Sequence, residues 1–253
     1  MKDRSRSSSI PKKRSEGKRR IPSKKWSCDE CLVALRRLGR QKNIAGMARF
    51  GIVAGAVLGV AKPLMDRLAK RIGRDHSLAL ELWQTGIHDA RILAGLVDDT
   101  TQVSSAQMDR WVRDFDNWDV CDGTCCHLFA FAGPAWQKAI QWTGRRAEFE
   151  KRAGFALIAY LGYRDKTAPN AKFRSCLRLI DRECEDSRHF VKKAVNWALR
   201  NIGKRNLQLN REAIRIAERM RGRQTSSARW IAADALRELR GEPVQRRLRG
   251  KHS

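Results

Sequence analysis

The sequence predicts an all-α protein of antiparallel helical hairpins stacked into a curved solenoid. Apolar residues recur at helical spacing between Gly, Pro or Asn breaks, and no stretch alternates as a half-buried strand does. Many short helices in pairs, with no strand to pack on, favour stacked hairpins over the alternative, a compact globular bundle.

Taken in order, the first helix is expected over residues 29–49. Pro63 suits the first turn of 63–72 and Gly73 its stop. Helices follow at 77–83, 88–97 and 105–115, the last with Ser105 able to cap. Asn117 reads as the N-cap of 118–131, with Asp119 a favourable first-turn acid and Asp122 before Gly123 a turn residue. The remaining helices are 135–142, 145–163, 171–185, 188–202 stopped by Gly203, 208–219 with Asn210 near its start, and 226–240.

The 253 residues, 42% apolar, can bury one sizeable core. Lys and Arg outnumber Asp and Glu by 53 to 27, and the net charge of +26 concentrates polyanions near the surface. Nucleic acid is therefore the first partner to consider. No apolar run has the length of a membrane-spanning helix, and the basic helices carry no broad apolar face free for lipid. Seven cysteines, including the adjacent pair Cys125 and Cys126, do not look like a disulfide framework, which points to a reducing, intracellular setting.

Three regions are expected: a disordered basic arm (1–27), a helical domain (28–240) and a basic tail (241–253) carrying Arg246, Arg247, Arg249 and Lys251. The first 25 residues hold eleven Lys or Arg against Asp3 and Glu16, with no apolar stretch of the kind a secretory signal needs. They serve either as a nuclear address or as electrostatic grip on DNA. Deleting residues 1–25 should flatten the dependence of log affinity on log salt while leaving the single-turnover rate at saturating enzyme nearly unchanged. A collapse of that rate would place the arm in the active site.

Within 189–206, Val191, Ala194, Val195, Ala198 and Ile202 form an ordinary buried stripe. Lys193, Asn196, Arg200 and Lys204 gather opposite, and Trp197 projects among them, roughly 120° from the apolar centre. An indole among cations suits contact with a nucleic-acid backbone and with an unstacked or cationic base; packing under a neighbouring helix is the other reading. Upstream, Trp118 and Asp122 stand four apart and share a helix face.

Asn117-Trp118-Asp119-Val120-Cys121-Asp122 and Phe190-Val191-Lys192-Lys193-Ala194-Val195-Asn196-Trp197-Ala198-Leu199-Arg200 resemble motifs of the HEAT-like-repeat DNA glycosylases, the AlkD-type DNA alkylation repair enzymes. Weaker helical patterns, Leu58-Gly59-Val60 and the run from Ala79 to Arg91, extend the resemblance, which covers about residues 43–214. It implies a HEAT-like repeat solenoid and a catalytic cleft built from Trp118, Asp122 and Trp197. It further implies that an arginine near the start of an intervening helix holds the DNA backbone, for which Arg152 is the best match and Lys151, Arg145 and Arg146 are alternatives; the basic strip of Lys193, Arg200 and Lys204 supplies further DNA contacts. The implied substrates are purines alkylated at N3 or N7 in duplex DNA. Such a base is cationic and leaves neutral, so one carboxylate suffices to stabilise the oxocarbenium-like sugar and position water.

The scheme requires no cofactor, no metal and no covalent nucleophile. Cys28 and Cys31 form a CxxC without a second pair at zinc-site spacing. His88 and His189 read as helix-surface or capping residues. The expected protein is a monomeric, DNA-associated, intracellular glycosylase, cytoplasmic or nucleoid-bound in a bacterium and nuclear in a eukaryote. The alternative is a non-catalytic helical-repeat protein that recognises DNA or RNA shape.

Overall fold

The structure, a computed structural model, describes residues 25–52 and 55–250. Most of the expected basic arm, residues 1–24, lies outside them, as do residues 251–253. Among the described residues there are fourteen α-helices and no strand. These are α1 (Cys28–Leu38), α2 (Gln41–Arg49), α3 (Lys62–Ile72), α4 (His76–Gln84), α5 (His88–Val97), α6 (Ser105–Trp111) and α7 (Trp118–His127). Then follow α8 (Ala135–Trp142), α9 (Glu148–Arg164), α10 (Asn170–Glu183), α11 (His189–Gly203), α12 (Leu207–Arg221), α13 (Ser226–Leu239) and α14 (Glu242–Arg249).

The helices stack in two layers. One runs α3, α5, α7, α9, α11, α13, each packed on the next, while α4, α8, α10 and α12 back α5, α9, α11 and α13. This is the solenoid of hairpins the sequence predicts. Its core is continuous: Trp83 stacks on Trp111 with ring centroids 3.8 Å apart, and Phe129 and Trp142 extend the aromatic line toward α9. Gly154 sets the α8–α9 spacing, because a Cβ there would stand 2.6 Å from the Thr143 nitrogen.

Several boundaries differ from expectation for local reasons. The single helix over 29–49 breaks at Gly39 because the 58–59 segment lies across the junction: Arg40 N–H donates to Leu58 O at 3.1 Å, and a Cβ on Gly39 would meet that oxygen at 2.4 Å. Helix α7 runs through Gly123 and stops at His127, where a 3-10 turn (Phe129–Phe131) follows. Ser104, not Ser105, caps α6 by accepting from Gln107 N–H. Asn206 caps α12, whereas Asn210 is buried and donates to the Gly203 and Leu239 carbonyls.

The expected basic tail requires correction. Residues Glu242–Arg249 form α14, with Pro243 in its first turn and Val244 and Leu248 buried against the end of the stack. Two apolar residues four apart anchor one face of this otherwise charged helix.

His88 is also corrected from surface to core, being 1% exposed, and Asp89 beside it is 2% exposed. The Asp89 carboxylate accepts from the N–H groups of Leu58 (2.7 Å), Gly59 (3.3 Å) and Val60 (2.7 Å). It thereby pins the stretch entering α3 to α5. His88 Nε2 lies 3.2 Å from Asp119 Oδ2 and so ties α5 to the start of α7. All seven cysteines are free; Cys31 is fully buried, and burial pushes its thiol up to about 12.

Candidate active site

Helix α7 is positioned by its first residue. Asn117 is buried and its Oδ1 accepts from Asp119 N–H and Val120 N–H, both at 3.0 Å, satisfying two of the helix's open donors. Trp118 and Asp122 then project one turn apart from the same face. The Trp118 indole N–H donates to Phe50 O at 2.8 Å, which brings the end of α2 over the face of α7.

Asp122 meets α9. Arg152 Nε donates to Oδ1 at 2.9 Å and Nη2 to Oδ2 at 2.6 Å, while Nη1 donates to Phe190 O on α11 at 2.7 Å. One guanidinium thus joins three neighbouring helices, and its fork matches the carboxylate. Burial raises the Asp122 carboxyl above its ordinary value; Arg152 opposes the rise by charge and hydrogen bonding, and Asp119 adds to it.

These groups line a cavity of about 560 Å³ together with Phe50, Gly51, His189, Phe190 and Lys193. Phe50 is 72% exposed at its mouth. Lys193 is exposed and has no ion-pair partner among the described residues. Burial, then Lys193 and Lys192, lowers the His189 pKa, favouring the neutral imidazole beside the cleft.

Trp197 stands next to this cavity rather than in its wall. It is half-buried, edge-on to Tyr160 of α9 with centroids 4.8 Å apart and planes at 80°. Tyr160 is in turn within electrostatic reach of Asp122 and Cys126, and burial pushes its hydroxyl pKa far up. Trp118 and Asp122 are therefore brought together, whereas Trp197 packs on Tyr160 outside the cavity lining.

Three expected DNA contacts are corrected. Arg152 is only 6% exposed, with all its donor nitrogens engaged inside the protein, so it is no open phosphate ligand here. Arg200 and Lys204 face α13, where both pair with Glu238, and Arg200 Nε also approaches Asp234 at 3.6 Å. Asn196, from the same strip, is buried and donates to Asp234 at 2.7 Å. The strip looks solvent-facing on α11 alone, but α13 supplies two carboxylates that cover it. Of the strip, Lys193 alone reaches the cleft.

Sequence reasoning missed Phe50, Gly51, Tyr160 and the cleft position of His189. An aromatic beside a glycine at a helix end was the available signal for Phe50. Tyr160 had none, since it falls within the nearly continuous apolar run of α9.

A family profile described as DNA alkylation repair enzyme matches residues 32–239. Among curated proteins no relative matches. The chain is similar to a solved structure from a new family of proteins related to the HEAT-like repeat DNA glycosylases with affinity for branched DNA structures. The TM-score is 0.71 at 24% identity, covering 85% of this chain and 96% of that one. A designed armadillo repeat protein aligns with a TM-score of 0.39 and 14% identity over 83% of this chain and 94% of its own. No helix among the described residues is long and apolar enough to cross a membrane.

Proposed function

Because the chain belongs to the DNA alkylation repair enzyme family, we propose that it is a monofunctional DNA N-glycosylase, hydrolysing the N-glycosidic bond of cationic N3- or N7-alkylated purines in duplex DNA. The observation that carries this reading is the pairing, in one cavity, of an indole face with a carboxylate whose orientation is fixed: Trp118 beside Asp122, held by Arg152. A protein that only grips phosphate has no use for a carboxylate in its cleft, since the charge repels the backbone.

In this mechanism the alkylated purine already carries the charge that makes it a leaving group, so no acid is needed to protonate it. As the bond breaks, positive charge grows on the sugar and Asp122 stabilises it from a preorganised position. Arg152 occupies one lone-pair direction on each carboxylate oxygen, leaving others to accept from an attacking water. The Trp118 face and, beyond Tyr160, Trp197 brace the cationic nucleotide at roughly 0.5–2 kcal/mol each. Lys193 draws in the adjacent phosphate. The protein acts as a DNA-associated, intracellular monomer and needs no cofactor.

A second reading is a non-catalytic binder of branched DNA. It is favoured by the engagement of both Asp122 oxygens in an internal ion pair and by the branched-DNA affinity of the structurally similar family. Release of methylated purines from alkylated duplex DNA, followed at saturating enzyme, separates the two. Release of the free base supports the glycosylase; no release, with tight binding to a three-way junction, moves the assignment to the binder.

A further inference from the structure

The far end of α9 carries a second cationic concavity, which the proposed chemistry does not use. A cavity of about 430 Å³ is lined by Tyr163, Lys166, Asn201, Lys204, Arg205 and Arg247, with Gly162 and Asn206 completing it; none of these residues is acidic. Arg205 is the fixed element. Its Nη1 donates to Gly162 O at 2.7 Å and its Nη2 to Ala168 O at 3.4 Å, and the guanidinium lies 3.9 Å from the Phe173 ring centroid. Its Nε is buried with no partner, and no carboxylate forms an ion pair with it among the described residues. Desolvation lowers its pKa, with Asp165 opposing.

Arg247, exposed on α14, donates to Lys204 O at 3.2 Å and adds a second guanidinium at the rim. Glu238 holds Lys204 on the other side. Tyr163, 67% exposed, presents its ring at the same rim, with Lys166 Nζ 4.8 Å from the centroid. The exposed Arg247 guanidinium, the Lys166 ammonium and the exposed Tyr163 ring together match a nucleic-acid strand, whose phosphate takes the cations and whose unpaired base takes the ring, while Arg205, its Nη atoms held by backbone carbonyls, adds positive field behind them.

We propose that this concavity is a second nucleic-acid site, binding the phosphodiester backbone of a single-stranded DNA segment with one unpaired base stacked on Tyr163. Ten residues of α9 separate Gly162 from Arg152, roughly 15 Å at 1.5 Å per residue. That distance is about four base-pair steps. The site therefore engages a segment other than the nucleotide at Asp122. The inference rests on the DNA-binding part of the functional reading and is independent of glycosylase chemistry.

The chain contains two tyrosines, Tyr160 beside the Asp122 cleft and Tyr163 in the second concavity, so 3-fluorotyrosine labelling of the full chain gives two 19F reporters, assigned with Tyr163→Phe. Titration with an unmodified dT octamer at constant ionic strength should move the Tyr163 resonance in a saturable way. Tyr163→Ala should weaken octamer binding roughly 5- to 150-fold. Lys166→Ala with Arg247→Ala should reduce the slope of log affinity against log salt by about 1.4. A Tyr163 resonance that stays still while fluorescence anisotropy shows the octamer bound overturns the proposal, as does octamer affinity unchanged in both variants. A shift with inorganic phosphate but not with the octamer also overturns it, leaving a small-anion site. Base release from alkylated duplex, measured on the same protein, reports the glycosylase reading separately.

Discussion

Asp122→Asn should slow single-turnover release of a cationic methylated purine by roughly 10²- to 10³-fold, the cost of removing one preorganised electrostatic contact. Binding to unmodified duplex should stay level or tighten, because a negative charge facing DNA has been removed. The asparagine carbonyl can still accept one Arg152 hydrogen bond, so the fold should persist at reduced stability, checked by circular dichroism and by working well below the melting temperature. Asp119→Asn is the control. Asp119 contacts His88 rather than Arg152, and its loss should change excision little. The pH profile follows from the same group. The active form is the carboxylate, so excision falls as pH drops through its pKa; burial raises that pKa above the ordinary 3.8, so the fall begins at higher pH than for a free aspartate. The acid limb should vanish in Asp122→Asn. A folded Asp122→Asn protein that excises at the parent rate overturns the catalytic assignment.

Arg152→Ala should produce the largest loss of stability. It leaves Asp122 as a buried carboxylate without its partner, empties a bridge among α7, α9 and α11, and removes the side-chain donor to the Phe190 carbonyl. Breaking a buried pair from one side costs about 3–5 kcal/mol. At about 2–4 °C per kcal/mol for a chain of this size, the melting temperature should fall by roughly 6–20 °C. Arg152→Lys keeps the charge but not the fork, and should fall between the two. The salt dependence of duplex binding tests the correction made above. A phosphate-binding arginine would contribute about 0.9 to the slope of log affinity against log salt. Arg152→Ala, measured well below its melting temperature, should leave that slope unaltered, whereas Lys193→Ala should reduce it. A parent melting temperature in Arg152→Ala, with a reduced slope, would restore Arg152 to the DNA surface.

The motifs that proved legible were those whose geometry closes within one helix. Asn117 capping α7, and Trp118 and Asp122 one turn apart, need only the helical repeat to be placed, and the structure puts both side chains in one cavity. Trp197 was legible in part. Its position outside the apolar stripe of α11 is a property of that helix, but whether it meets solvent or Tyr160 depends on α9. The cationic strip misled for the same reason: Asp234 and Glu238 stand some forty residues later in the chain, and only the packing of α13 on α11 joins them to Asn196, Arg200 and Lys204.

The sequence by itself determined the all-α class, the stacked-hairpin architecture, the positive field and the α7 pair, because periodicity, breakers, charge and i,i+4 spacing are local or additive. Tertiary structure decided which charges remain available. Arg152 became a buried partner of Asp122, α14 docked through Val244 and Leu248, and Phe50 arrived at the cleft through a hydrogen bond spanning 68 residues. The physical reason is common to all three: a side chain or backbone group, polar or apolar, meets its partner by distance in space, and that distance is set by helix packing, which no single helix encodes.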